Sequence, residues 1–188
     1  MAKTPELYLI RHGETEWSLT GQHTGRTDIG LTEAGREQAV GLRDRLRARQ
    51  FAMILNSPLR RAVETCRLAG YADVSQPEPN LMEWSYGKYE GLTSDQIREQ
   101  VPDWTVWTHP VPGGETAVEV AARARAVITR AKSAGGDVAL FSHGHLLRVL
   151  IATWLELSPA DGRLFGLATA SITVLGHERE APVLQLRP

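Results

Sequence analysis

The chain has 188 residues, 42% of them hydrophobic and 23% charged, a composition typical of one globular domain spanning 1–188 and not of a fibrous or disordered protein. Its formal net charge of −1 argues against broad electrostatic binding to nucleic acid or to a membrane, so any positive potential is expected to be local. The single cysteine excludes an internal disulfide, and the N-terminus lacks a basic segment followed by a long apolar stretch, so we expect a cytoplasmic protein.

Apolar runs and helical patterns alternate along the first quarter of the chain. Residues 7–10 predict a buried strand because they form a short apolar run that ends abruptly in polar residues. The glycine-rich segment 14–30 has no sustained periodicity and is expected to be irregular. Thr32 suits the N-cap of a helix that continues to about residue 49.

A second strand and a second helix follow. Residues 51–55 predict the strand because they are again apolar. Ser57 is placed to cap the next helix, with Pro58 at its first position, and this helix is expected to reach about residue 69.

The middle of the chain carries weaker signals. From 70 to 91 the sequence is expected to be irregular apart from a short strand near Leu81. Two capping-box patterns, each a threonine followed three residues later by glutamine or glutamate, then predict helix starts at Thr93 and Thr116.

The last third repeats the succession of strand and helix. Residues 138–141 predict a third apolar strand, followed by an apolar helix over 145–157. Residues 169–175 and 183–187 alternate well enough to predict two final strands, antiparallel or at an edge. Together the elements predict an α/β fold: a three-layer α/β/α sandwich with a mainly parallel central sheet and helices on both faces.

Polar and charged residues follow three of the predicted strands. They are Arg11 with His12, the segment 57–61, and Ser142 with His143. In an open parallel sheet these junctions gather at the carboxyl edge, where ligands bind beside the point at which the strand order reverses. Residues far apart in sequence are therefore expected to form one site.

The residue types at these junctions favour phosphate chemistry. Arginine donates two parallel charge-assisted hydrogen bonds to a phosphate and keeps its proton at any working pH. A histidine can accept a phosphoryl group, because covalent catalysis divides one difficult transfer into two easier ones. Glu83 is a candidate proton donor, since its apolar neighbours Met82 and Trp84 are expected to keep a carboxyl group protonated.

Four motifs follow one another along the chain: LIRHGET at 9–15, SPLRRA at 57–62, EWSYGKYEG at 83–91 and SHG at 142–144. In this order they resemble the histidine phosphatase superfamily, also called phosphoglycerate-mutase-like. The stretch at 15–32 is similar both to actinobacterial acid phosphatases and to fungal sedoheptulose-1,7-bisphosphatases of this superfamily, and the stretch at 102–109 favours the acid phosphatases.

The resemblance implies a role for each motif. His12 would be the nucleophile and Glu83 the proton donor, while Arg11, Arg61 and His143 would bind the transferring phosphoryl group. Further substrate contacts are implied for Ser18, Thr24, Gly25, Tyr86, Gly144 and His145. Ser18 stands where the family commonly has asparagine, which leaves one phosphate contact to a serine hydroxyl. Glu90 is expected to be structural.

These expectations describe a metal-independent phosphomonoesterase that acts on small phosphorylated metabolites, works best at acidic pH and needs no cofactor. No HExxH motif or close carboxylate pair suggests a metal site. Neither nucleic acid nor a membrane is an expected partner, and a homodimer is left open.

Two alternatives stay open. A cofactor-dependent phosphoglycerate mutase would return the phosphoryl group to its substrate, and a catalytically silent module would only bind phosphorylated ligands. The phosphatase is favoured because the short span from Glu83 to His143 lacks the long insertion usual in family mutases. Retention of all five catalytic positions argues against the silent module.

Overall fold

A computed structural model describes residues 5–185, which contain a six-stranded sheet. Its strands are β1 (Leu7–Arg11), β2 (Met53–Asn56), β3 (Gln76–Pro77), β4 (Val138–Ser142), β5 (Ile172–Glu178) and β6 (Ala181–Gln185). The order is β3-β2-β4-β1-β5-β6, parallel from β3 to β1 and antiparallel at β5 and β6. The two predicted final strands are confirmed, although residues 186 and 187 of the second lie outside the described residues.

The α-helices of this part of the chain lie mostly where strands must be connected. They are α1 (Glu16–Thr20), α2 (Glu33–Leu46), α3 (Arg60–Leu68), α4 (Ser94–Arg98), α5 (Ala117–Lys132) and α6 (Gly144–Trp154). Short 3₁₀ helices span Pro79–Leu81, Gly87–Tyr89 and Pro159–Leu164. The capping boxes predicted at Thr93 and Thr116 both form. Between residues 5 and 185 no helix has the length and apolar character needed to cross a membrane.

Strands β1, β2, β4 and β5 supply side chains to two separate cores, because successive residues of a strand point to opposite faces. Leu7 and Leu9 of β1 pack in one core with α5 and α6. Tyr8 and Ile10, on the other face, pack with α2 and α3. Helices therefore cover both faces, and the predicted three-layer α/β/α sandwich is confirmed.

The direction of the chain across the sheet reverses between β1 and β4. Helix α2 leads from β1 over one face to β2, whereas α6 leads from β4 over the opposite face to β5. The carboxyl ends of β1 and β4 lie side by side, with Arg11 paired to Ser142. A crevice forms at such a point in an open α/β sheet, so the residues that follow these strands are placed to build a site.

Two predictions about local structure are wrong for short-range reasons. Segment 14–30 contains α1, whose Thr15 and Ser18 form a capping box; the helix has five residues and none is buried, so no periodicity marks it. The strand predicted near Leu81 is a 3₁₀ helix that Pro79 begins, and the strand itself is β3.

The start of α3 also differs from the prediction. Its N-cap is Leu59, which makes no side-chain capping bond, and Pro58 precedes the helix. The Ser57 hydroxyl oxygen accepts a hydrogen bond from the Leu59 N–H at 3.3 Å and faces His143 at 2.7 Å. Ser57 therefore contacts the second histidine instead of capping the helix.

Candidate active site

The two histidines of the predicted site meet directly after β1 and β4. The backbone N–H of His12 donates to the carbonyl of Ser142 at 2.9 Å, which extends the pairing of the two strands. The imidazole centroids of His12 and His143 are 5.2 Å apart, and both side chains are buried. The topology thus brings together residues that lie far apart in the chain.

His12 is held as a neutral ring with one nitrogen free. Its Nδ1 is 2.7 Å from the Gly13 carbonyl, and since a carbonyl only accepts, the ring proton is on Nδ1. Burial lowers the pKa of His12 well below its ordinary 6.5, and the charges of Arg61 and Arg11 lower it further. Nε2 therefore keeps its lone pair in mildly acidic solution, as a nucleophile must.

Arg61 fixes the protonation state of His143. The Arg61 Nε–H donates to Nδ1 of His143 at 3.1 Å, so the imidazole proton lies on Nε2, which donates to the Ser57 hydroxyl at 2.7 Å. Burial lowers the pKa of His143 well below 6.5, with Arg61 as the next cause. His143 is thus a neutral donor held between an arginine and a serine.

The remaining Arg61 bonds hold a loop. Its terminal nitrogens donate to the backbone carbonyls of Thr24 (3.1 Å), Gly25 (2.9 Å) and Thr27 (3.0 Å). With the bond to His143, four of its five N–H groups are engaged inside the protein. Arg61 has an exposed fraction of 0%, so its positive charge acts from beneath the surface.

Arg11 has a buried donor without a partner among residues 5–185. Its Nη1 donates to the Leu167 carbonyl at 2.5 Å, while its Nε is buried and has no hydrogen-bond partner among residues 5–185. An unpaired buried donor costs roughly 1–3 kcal/mol. Arg11 borders a cleft, so an anion bound there would satisfy this donor.

Glu83 lies at the N-terminus of α6. One carboxylate oxygen accepts hydrogen bonds from the backbone N–H groups of Trp84 (2.9 Å) and Leu146 (2.8 Å), and the other accepts one from His145 (3.0 Å). These three bonds fix the orientation of the carboxyl group. Its direct partners are backbone N–H groups and not the apolar side chains named in the prediction, and Glu83 borders the cleft.

The cleft has a volume of about 390 Å³ and collects most of the predicted residues. Those that line it are Arg11, His12, Ser18, Thr24, Glu83, Tyr86, Gly144 and His145. The other three are buried beside it: Arg61, His143 and Gly25.

Comparison with known proteins places this geometry in a family. Residues 7–187 match the family model described as Histidine phosphatase superfamily (branch 1). The chain belongs to the histidine phosphatase superfamily. The assignment made from the four motifs is confirmed.

Individual relatives agree with this membership. The chain is 43% identical over 187 residues to an acid phosphatase of Mycobacterium tuberculosis, covering 96% of this chain and 92% of the relative. It is 31% identical to a sedoheptulose 1,7-bisphosphatase of Saccharomyces cerevisiae, covering 82% and 69%. The solved structure of an M. tuberculosis open reading frame product is similar at a TM-score of 0.93 and 41% identity, covering 98% of this chain and 97% of that one.

In this histidine phosphatase two polar side chains, Ser18 and Glu90, bond to the backbone between β1 and α2. The Ser18 hydroxyl donates to the Thr15 carbonyl and accepts from the Thr15 N–H, both at 2.9 Å. Its proton is therefore used in a hydrogen bond at the start of α1. One oxygen of Glu90 accepts hydrogen bonds from the backbone N–H groups of Gly25 (2.7 Å) and Thr27 (2.9 Å). These bonds hold the loop at Gly25 and Thr27, which agrees with a structural role for Glu90 that stays a prediction.

Tyr86, His145 and His23 form the wall beside Glu83. The Tyr86 hydroxyl is 2.5 Å from Nδ1 of His145. Burial raises the pKa of Tyr86 well above 10, so the hydroxyl keeps its proton and donates it, and the His145 proton lies on Nε2. His23 stacks on His145 at 6.2 Å and donates from Nδ1 to the Leu92 carbonyl at 2.8 Å, which leaves its Nε2 as an acceptor.

Several cleft residues were not among the predicted site residues. Among them are Trp17, Arg98, Trp107 and Arg148. Arg148 follows His145 by three residues on α6, so the two share a face, and this spacing was a usable signal. Trp107 lies outside the helices and strands and reaches the cleft through tertiary packing, for which the sequence has no local signal.

The described residues hold no group of three or more side chains suited to binding a metal ion. The donors around His12 are cationic or neutral, since Arg11, Arg61 and His143 surround it. Such a set fits an anion.

Proposed function

We propose that this histidine phosphatase hydrolyses small phosphorylated metabolites through a phosphohistidine on His12. The observation that carries the proposal is the state of the His12 ring, whose proton is held on Nδ1 by Gly13 while Nε2 stays free at the crevice. The 43% identity to an acid phosphatase supports hydrolysis as the outcome.

The reaction has two steps with one intermediate. In the first, Nε2 of His12 attacks the phosphorus, the bond from phosphorus to the ester oxygen breaks, and protonated Glu83 gives its proton to that oxygen. In the second, water attacks the phosphorus and the bond to Nε2 breaks. Glu83 takes a proton from the water. Inorganic phosphate is released, and His12 returns to its initial state.

Positive charge stabilises the transferring group. Arg11 brings its unpaired Nε to the cleft, and Arg61 adds a fixed charge from below. His143 brings an N–H that Ser57 holds in place when no phosphate is bound. Preorganised donors of this kind supply electrostatic stabilisation without reorganising during the reaction.

Glu83 is held in place to act as the proton donor. Three backbone N–H groups bond to its two carboxyl oxygens. One oxygen accepts a single one of these bonds, from His145, and therefore has a lone pair to carry the proton. A dianionic phosphate bound nearby favours protonation of the same carboxylate, because two negative charges repel.

The test is a phosphate-release screen over a panel of phosphorylated metabolites, with phosphoglycerate mutase activity measured in parallel. We expect hydrolysis much faster than isomerisation, and its loss in the His12→Ala variant. Isomerisation faster than hydrolysis would identify a mutase instead. Binding of the panel without either reaction would identify a silent ligand-binding module.

A further inference from the structure

A second basic group lines the cleft besides those around His12. Trp107 and Arg148 line the same cleft as Arg11, His12 and Glu83, and the centroid of the Trp107 ring lies 5.1 Å from that of the His145 ring. We define Trp107 and Arg148 as the distal subsite. A phosphoryl group bound at His12 leaves this part of the cleft for the rest of the substrate.

Arg148 is built into the cleft as a fixed guanidinium. Its Nε donates to the Gly162 carbonyl and one Nη to the Arg163 carbonyl, both at 3.0 Å. The guanidinium carbon lies 4.7 Å from the centroid of the Trp107 ring, in a cation–π contact. Two hydrogen bonds and a stacked ring fix the plane of this side chain.

Arg148 makes no direct ion pair within residues 5–185, although the Glu83 carboxylate acts on its charge from a distance. The second Nη of Arg148 makes no hydrogen bond in that range. Arg98, which also lines the cleft, differs because Asp95 lies 3.2 Å from its guanidinium. A half-buried arginine at a cleft, with no direct ion pair, is suited to a planar anion, since its fork matches carboxylate and phosphate.

The wall beside Glu83 suits hydroxyl groups. Nε2 of His145 is a donor and Nε2 of His23 is an acceptor, and both rings line the cleft. A hydroxyl group both donates and accepts, so it can bond to both nitrogens.

We propose that the distal subsite binds a second anionic group of the substrate. The preferred substrate class is then a hydroxylated phosphomonoester with a carboxylate or a second phosphate at the end away from the ester. This inference rests on the proposed function, because it places the reacting phosphoryl group at His12.

The experiment compares substrates that differ only in the second anion. 3-Phosphoglycerate is paired with glycerol 3-phosphate, and fructose 1,6-bisphosphate with fructose 6-phosphate, and kcat/KM for phosphate release is measured for each. We expect the doubly anionic member to be preferred by roughly tenfold to a hundredfold, as for a hydrogen bond to a charged group. The pair with the larger ratio tells whether carboxylate or phosphate is the better second anion.

Arg148→Gln should bring both ratios close to one. The matched control is Arg163→Gln, because Arg163 is exposed and pairs with Asp161, and its contact with Arg148 uses only its backbone carbonyl. That control should keep the wild-type ratios. A second readout needs no turnover: calorimetric titration of His12→Ala should show tighter binding of 3-phosphoglycerate than of glycerol 3-phosphate.

The outcomes separate the two proposals. Equal kcat/KM and equal affinity for both members of each pair in the protein with Arg148 intact would overturn the distal subsite and leave the phosphatase proposal standing. A preference that persists in Arg148→Gln would also overturn it. If no member of either pair is hydrolysed, the proposed function fails, and the calorimetric comparison still tests the subsite. Because the wild-type ratios and that titration do not use Arg148→Gln, poor folding of this variant does not affect them.

Discussion

The floor of the cleft, formed by His12, Arg61 and His143, differs from the distal subsite in how fully its polar groups are bonded within the protein. At the floor, His12, Arg61 and His143 are buried and bonded to one another or to the backbone. At the distal subsite, Arg148 is half-buried, and in residues 5–185 one of its Nη groups has no hydrogen-bond partner and its charge has no direct ion pair. A closed floor suits one group of fixed shape, whereas an open subsite leaves room for selection among substrates.

One helix connects the two regions. His143 is the N-cap of α6, and the first backbone N–H groups of that helix bond to Glu83. Arg148 lies just over one turn further along. The position of α6 therefore fixes the distance from His143 to the distal subsite.

The largest expected difference between the regions is in stability. Arg61→Met would leave the carbonyls of Thr24, Gly25 and Thr27 and one nitrogen of His143 without their donor. We expect the free energy of unfolding to fall by roughly 3–5 kcal/mol, together with a severe loss of activity.

Urea denaturation measures this effect, with Arg60→Met as the matched control. Arg60 is the adjacent arginine and is exposed, so its loss should change the free energy of unfolding by less than about 0.5 kcal/mol. Equal effects of the two substitutions would contradict the assignment of Arg61 to the floor.

The proton donor gives the next largest effect. Glu83→Gln removes the acid, so alkyl phosphate hydrolysis should slow by roughly a hundredfold or more, while 4-nitrophenyl phosphate is much less affected because its leaving group departs without a proton. The amide nitrogen of the new side chain would also face a backbone N–H of α6, with a modest loss of stability. Steady-state rates on both substrates separate the two effects.

Glu90→Gln is the control for this prediction. It weakens the bonds to Gly25 and Thr27, so both substrates should slow alike. If Glu90→Gln slows the hydrolysis of alkyl phosphates selectively, the proton donor is Glu90 and the assignment to Glu83 is wrong.

The pH dependence of kcat/KM tests the environment of His12 without a substitution. Only unprotonated His12 attacks, and burial with Arg61 and Arg11 lowers its pKa well below 6.5, so the free form persists as the pH falls past 6.5. Glu83 must carry a proton in the first step, which favours lower pH. We expect kcat/KM to be highest below neutral pH, with the acidic decline starting well below 6.5. An optimum near pH 8 would contradict this account.

The smallest expected effect is that of chelation. The groups around His12 are arginines and a histidine, and no cluster of three metal-binding side chains occurs among the described residues. EDTA should therefore leave phosphate release unchanged. Loss of activity restored by magnesium or zinc would favour a metal-dependent phosphatase.

The same two regions differ in how far the sequence predicted them. His12 and His143 were predicted because each directly follows an apolar strand, and parallel strands place such residues together. The environment of Glu83 was not predicted, because two of the three N–H groups that bond to it come from α6, about sixty residues further along the chain.

The distal subsite was missed for a related reason. It forms where Trp107, Gly162 and Arg163 approach Arg148, and these contacts depend on packing between separate segments. Local rules failed likewise at Ser57, where a bond to His143 replaces the helix cap that its position suggested.

The central claim, a phosphoryl group carried by His12, is tested most directly by trapping the intermediate. The protein is mixed briefly with a labelled phosphomonoester, quenched without acid, digested and analysed for the labelled residue. We expect label on His12 that is stable in base and lost in acid, and none in His12→Ala. Label on a serine, or rapid hydrolysis with no labelled residue at any time, would contradict the account.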